Sequence, residues 1–249
     1  MLVAIFLFAL GLVVGSFLGA FTYRFPRGIS IISGYQGRSI CPRCKRKIRW
    51  YDNIPIFSFL ILKGRCRDCK EKISLREPAI ELATGIIFVV GPLNALFPLF
   101  IFLIVACLLI SIAVIDLENQ IIPDEIVWLG LLFLISWYLV IDFHSLFPYL
   151  ITGFGSALFL LLVNLITRGR GMGLGDVKLA IFVGSMLDLK LGIIWMLTSF
   201  VVGSLMGIIL IMLGKANLKA KVPFAPFLII GFFITVFFGT QLANLLLPI

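Results

Sequence analysis

Two carboxylates in this chain sit where carboxylates are costly. Asp116 closes a long apolar run in AVIDLENQIIPDE, and Asp176 follows a glycine-rich stretch in GMGLGDVKL, next to another apolar run. Ionisable groups at membrane depth are rare and mark function. Each also has a structural alternative: Asp116 as a membrane-boundary residue, Asp176 as a helix N-cap. Together they offer a specific chemistry. Two close carboxylates cannot easily both ionise, so the pair holds one proton. The ionised member can take a proton from water while the protonated member polarises a peptide carbonyl. That is the arrangement of an aspartic protease, and it needs neither a covalent intermediate nor a metal. Gly173 and Gly175 lack side chains, so an extended peptide backbone can approach Asp176 closely. Lys178 is read as a charge at headgroup level. Asp124, after Pro123, is a supporting acid near a helix start, where negative charge is favourable. Glu118 is a solvated loop acid.

A second constellation is Cys41, Cys44, Cys66 and Cys69, two C-x2-C pairs with 21 residues between them. Four thiolates suit tetrahedral Zn2+, although the gap is just outside the usual 15–20 residues. Redox dithiols or disulfides are the alternative, and a reducing cytoplasmic location argues against stable disulfides. A four-thiolate metal has no open position, so it would organise a domain rather than do chemistry. Cys107, inside an apolar run, is a small buried hydrophobe.

The elements that must hold these groups are membrane helices. Hydrophobic residues make up 61% of the 249, and charged residues only 13%, against about 25% in soluble domains. Apolar runs near 20 residues recur, long enough to cross a hydrocarbon core of about 30 Å. The expected fold is an all-α polytopic membrane protein with about eight transmembrane helices and a small cytoplasmic zinc-binding domain. The helices are expected at 2–22, 79–96, 98–115, 125–141, 148–167, 176–187, 191–213 and 224–246. The first lacks a basic residue ahead of it and is longer than a signal-peptide core, so it reads as a retained helix. Three regions follow: 1–23, the first transmembrane helix; 24–78, a basic four-cysteine domain; and 79–249, a seven-helix protease core.

Charge sets the orientation. Of 21 Lys and Arg, 14 fall between Arg24 and Arg76, within a net charge of +9. Eight helices put 24–77, 116–124, 168–175 and 214–223 on one side, with nearly every Lys and Arg. The positive-inside rule places that side in the cytoplasm. Asp116 and Asp176 fall on it together. The same cluster suits anionic headgroups of the lipid bilayer, a better reading beside membrane helices than nucleic acid.

Several motifs in order then resemble the prepilin leader peptidases, also called type IV leader peptidases, a GxGD family of membrane aspartic proteases. GSFLGAFTYRFPRG resembles the family's GSFLNVxxxRLP, and ISLREPAIELATG its ISxRYPxVELLTG. The four-cysteine segment matches, including WYDNIPIFSFLILKGRC. D-x6-PD falls on Asp116, Pro123 and Asp124, GxGDVKL on Gly173 to Leu179, and VPFAPFL resembles PFGPFL. Gly19, Glu77 and Ala225 depart from the pattern, where the family has Asn, Tyr and Gly. The resemblance implies that Asp116 and Asp176 are the catalytic pair and that the four cysteines are the zinc-type ligands. It implies prepilin and pseudopilin substrates, cleaved after a Gly at the cytoplasmic face of the inner membrane, for pilus assembly or type II secretion. It also implies methylation of the new amino terminus from S-adenosylmethionine. No residue pattern locates the methyl donor; Glu81, in the 24–81 region, is one candidate, and a helix-start acid is the alternative. Two rivals from other classes are a transporter, whose intramembrane carboxylates relay protons, and a non-catalytic zinc scaffold.

Overall fold

The computed structural model describes residues 1–30, 40–41, 43–93, 96–169, 171–214 and 222–246. The predicted basic turn KANLKAK, 215–221, lies outside them. The chain divides into two compact units, Met1–Ser111 and Ile112–Ile249.

In the first unit, α1 (Leu2–Arg24) packs along α3 (Arg76–Val90). The seam is written in the sequence as Gly11-x3-Gly15-x3-Gly19, one face of a helix at four-residue spacing. A Cβ at Gly15 would lie 2.7 Å from the Cα of Glu81, and one at Gly11 2.7 Å from the Cα of Gly85. Small residues let two apolar helices approach backbone to backbone, where lipid gives no hydrophobic drive to pack them. Gly15→Leu is therefore expected to separate α1 from α3 and to cost about 1–3 kcal/mol, read as an earlier thermal midpoint in detergent. Gly19 faces Glu77, whose Oε2 stands where a Cβ would go. The two departures from the family pattern in this region thus meet each other. Arg76 closes the polar end of the pair, donating to the Gly19 carbonyl at 2.9 Å, Thr22 Oγ1 at 2.8 Å and Glu77 Oε1 at 2.6 Å.

Between these helices lies the four-cysteine segment, with one short helix, α2 (Phe57–Ile61). Each C-x2-C pair is a knuckle closed by one antiparallel bridge, Ile40 with Lys47 and Arg65 with Lys72. Lys45 and Lys70 take equivalent left-handed conformations, each with φ 58°. Arg43 of the first knuckle pairs with Glu71 of the second, and Arg46 with Asp68 at 3.2 Å. Asp52, in the WYDN turn, receives Arg67 through both nitrogens at 2.7–3.1 Å. That guanidinium holds the Asp52 carboxyl below its ordinary range.

The helix α4 (Leu99–Asn119) crosses the boundary between units. The second unit continues with α5 (Asp124–Ile141), α6 (Phe143–Ile166), α7 (Leu174–Gly184), α8 (Leu189–Met212) and α9 (Ala225–Leu246). Its centre is α7. Leu179, Ala180, Phe182 and Val183 have no exposed surface, because α7 is flanked by α5, α6 and α9. A helix buried all round reads as uniformly apolar. Glycines on its neighbours make the room: Gly130 of α5 faces the Phe182 ring, and a Cβ on Gly184 would come within 2.8 Å of the Gly153 Cα of α6. The fully buried Trp195 of α8 donates to the Leu228 carbonyl of α9 at 2.8 Å.

Each of the eight expected apolar segments holds a helix, but among the described residues six α-helices, namely α1, α4, α5, α6, α8 and α9, are long and apolar enough to cross a membrane. The other two are α3 and α7, with 15 and 11 residues, or about 22 and 16 Å at 1.5 Å per residue. Several boundaries also differ. The helix expected to stop before Asp116 runs on to Asn119, because its stop is the left-handed Gln120, whose N–H caps the Asp116 carbonyl. The helix expected from 148 starts at Phe143, because Asp142 caps it by accepting from Ser145 N–H. Pro148 is absorbed within it. The helix expected from 79 starts at Arg76 and gives way at Gly91 to a 3-10 turn. The chain is a multi-pass helical membrane protein.

Candidate active site and metal centre

Asp116 lies in the last turn of α4 and Asp176 in the first turn of α7, both within the second unit. Both are buried, at 5 and 7% exposure. Their surroundings hold them differently. Asp176 is the third residue of α7, and its Oδ2 reaches back to accept the Gly173 N–H at 3.0 Å. This satisfies one of the orphan donors of a helix start. Asp116 faces the backbone N–H of Ala225, the first residue of α9. Its Oδ2 has no hydrogen-bond partner among the described residues. A buried carboxylate oxygen left open is costly in a structural role, and it is what a site that must hold water or a peptide carbonyl requires.

Two further links join the segments that carry the pair. The first is at Gly175. A Cβ there would meet Ile122 Cβ and Cδ1 at 3.2 Å, so Gly175 makes room for the loop that follows Asp116. Gly175→Val is expected to push that loop away and lower activity, and Ile122→Ala to restore part of it. Comparing turnover of the single and double variants checks this. The second link is Lys178, whose Nζ donates to both oxygens of Asp124 at 2.8 and 2.7 Å. Lys178, expected as a charge at headgroup level, ties the start of α5 to α7, and Asp124 supplies the other half. The loop before Asp176 is anchored by Asn164, which donates to the Met172 carbonyl, and by Thr167 Oγ1, which accepts the Gly171 N–H at 3.1 Å.

Sequence chemistry does not single out Ala225 or Ile122 as site residues. Ala225 is visible only as part of VPFAPFL, and Ile122 carries no chemical signal.

The four cysteine sulfurs lie within 4.8 Å of one another, with Cys41 Sγ and Cys69 Sγ 3.7 Å apart. Zn–S bonds of about 2.3 Å in a tetrahedron put sulfurs about 3.8 Å apart, so the cluster fits Zn2+. The backbone N–H of Cys44 lowers the Cys41 thiol to about 7, while, against the Glu71 N–H, burial and the neighbouring thiols push Cys69 up to about 11, so it is Cys41 that most readily offers the thiolate a metal needs.

Glu81 is buried in the first unit. Its Oε2 accepts the Ile56 N–H at 2.8 Å, and its carboxylate is also hydrogen-bonded with Ser16.

Residues 103–208 match the type IV leader peptidase family, and residues 9–94 match the bacterial peptidase A24 N-terminal domain. A prepilin leader peptidase/N-methyltransferase of Bacillus subtilis is 33% identical over 243 residues, covering 96% of this chain and 95% of that protein. The chain belongs to the type IV leader peptidase family. A protein of the same name from Pseudomonas aeruginosa is 31% identical over 269 residues, covering 94% of this chain and 90% of its own. One from Neisseria gonorrhoeae is 34% identical over 229 residues, covering 81 and 80%. No solved structure matches the chain. Within the family matches, Asp116 and Asp176 fall in the leader peptidase region and the four cysteines in the amino-terminal domain.

Proposed function

We propose that this chain is a prepilin leader peptidase and N-methyltransferase whose catalytic pair is Asp116 and Asp176. The observation that carries this reading is the burial of two carboxylates, 60 residues apart in sequence, in one unit, one of them with an open oxygen. The ionised carboxylate takes a proton from water as the water oxygen attacks the scissile carbonyl carbon. The protonated carboxyl gives its proton to the carbonyl oxygen. The tetrahedral intermediate then collapses: the C–N bond breaks, the amine nitrogen of the mature protein takes the proton from the first carboxyl, and one hydroxyl of the gem-diol returns its proton to the second, so the pair again holds one proton. Gly173 holds Asp176 in place, and Ala225 does the same for Asp116. The open Oδ2 of Asp116 is the place for the attacking water.

The substrates are prepilins and pseudopilins with a short basic leader before an apolar helix, cut at the cytoplasmic face of the inner membrane. The product serves pilus assembly or type II secretion. Segment 24–78 is the cytoplasmic domain, held by Zn2+ on Cys41, Cys44, Cys66 and Cys69, against a bilayer with anionic headgroups. Segment 1–23 is its amino-terminal anchor, and 79–249 is the protease core. Nucleic acid is not a partner. The methyl donor is S-adenosylmethionine. Glu81, which accepts the Ile56 N–H on Oε2 and keeps further acceptor sites on its carboxylate, is the candidate residue for holding it.

The test uses purified protein in lipid nanodiscs with a prepilin and S-adenosylmethionine, read by mass spectrometry. Loss of the leader mass with gain of a methyl mass is expected. Leader loss with no methyl gain would remove the second activity. An unchanged prepilin, across a panel, would remove the first.

A further inference from the structure

The four-cysteine segment leaves one apolar face uncovered. α2 turns Phe59 inward against Gly64. It turns Phe57, Leu60 and Ile61 outward, at 65, 66 and 72% exposure. Positions 57, 60 and 61 share one helix face. Trp50, 80% exposed, lies on the turn before it. A contiguous apolar patch rimmed by charge marks an interaction surface.

The backbone fixes where this face sits. Ile56, just ahead of α2, has φ 57°, a conformation that is a genuine outlier for a β-branched residue and costs energy to hold. Its N–H donates to the buried Glu81. Glu81 is the sixth residue of α3, so the bond sets the start of α2 about 7.5 Å along that helix from Arg76. Arg76 itself marks the polar end of the α1–α3 pair, and α1 is long and apolar enough to cross the membrane. α2 therefore begins deeper along α3 than the charged ends of the two helices that anchor it. Around it, residues 24–77 carry 14 Lys and Arg against four acids.

We propose that α2 is an interfacial wedge: Phe57, Leu60 and Ile61 insert among the headgroups of an anionic leaflet, at a depth set by the Glu81–Ile56 hydrogen bond. Charge complementarity selects the occupant. A basic segment with an amphipathic face binds anionic lipid through apolar insertion and phosphate contacts together. One end of the segment continues from α1, which is long and apolar enough to cross the membrane, and the other runs into α3, packed along α1, so the wedge holds the zinc-type knuckles against the bilayer instead of leaving them on a loose loop. The inference rests on the membrane location alone and is independent of the catalytic assignment.

Trifluoromethylphenylalanine placed at 57, 60 or 59 of the full-length protein, in phosphatidylglycerol–phosphatidylethanolamine nanodiscs, tests it by fluorine relaxation. At 57 and 60, a gadolinium-bearing lipid should enhance relaxation several-fold more than a water-soluble nickel chelate. At inward position 59, the nickel effect should be several-fold weaker than on an unstructured label. A dominant nickel effect at 57 and 60 would overturn the proposal, since the face would then be in water. Weak effects from both agents there would also overturn it, since protein, from this chain or a second copy, would then cover the face. Replacing phosphatidylglycerol by phosphatidylcholine should reduce the lipid effect; an unchanged effect would overturn the selection by charge.

Discussion

Asp176→Asn protein is expected to fold and insert like the wild type and to release prepilin leaders about 10²- to 10⁴-fold more slowly. The substitution isolates the chemistry. Asparagine keeps the shape of the side chain and an oxygen for the Gly173 N–H, so the start of α7 keeps its cap. What it loses is the ability to gain and give a proton. Asp116→Asn keeps an acceptor for Ala225 in the same way and is expected to fail equally. Size-exclusion elution and helix content by circular dichroism, unchanged in both, would show that the loss is not one of folding. Wild-type turnover in either variant would contradict the assignment.

The second large effect is metal removal. Among the described residues from Ile40 to Leu75, Cys41 is the one buried residue, so this segment has no apolar core to hold it. The ion pairs that join the knuckles are largely exposed, and such pairs contribute about 1 kcal/mol or less each. Structural zinc in small domains supplies about 10–16 kcal/mol of apparent folding free energy. Wild-type protein is therefore expected to carry one zinc per chain by elemental analysis. A strong chelator, or Cys66→Ser with Cys69→Ser, should make residues 43–72 sensitive to trypsin while the unit from Ile112 stays resistant. Unchanged resistance of the metal-free segment would show that the cysteines do not organise it through a metal.

Much of this fold is legible in the residues themselves. Hydropathy alone locates all eight long apolar segments, because lipid-facing helices must be apolar over their whole length. It also marks 176–187 as short, about 18 Å at 1.5 Å per residue, but it does not show that α3 falls short of a full span. α7 is only 11 residues long and carries Asp176 and Lys178, and its apolar surface is covered by α5, α6 and α9 rather than by lipid. Asp116 suggests a helix stop because charge ends an apolar run. The real stop is the left-handed Gln120, a geometry that leaves little mark on composition. Pro148 suggests a start, while the nearby Asp142 supplies it.

For the candidate site, residue type and topology bring Asp116 and Asp176 to one side, and the cysteine spacing gathers four sulfurs. The supports are legible only in part. Gly175 stands out, but its tight contact with Ile122 depends on a packing that no local pattern encodes. Lys178 and Asp124 each stand out too, yet 54 residues separate them, and only the fold pairs them. The Glu81–Ile56 bond is hidden for the same reason, since it joins a helix to a strained loop 25 residues away.

The most direct measurement compares prepilin cleavage by wild type, Asp116→Asn, Asp176→Asn and the double variant, with leader release followed by mass spectrometry. If the two carboxylates act as one unit, each single variant falls to the same residual rate and the double variant falls no further. Residual rates in the single variants that multiply in the double variant, or one single variant that still cleaves at the wild-type rate, would contradict a catalytic pair.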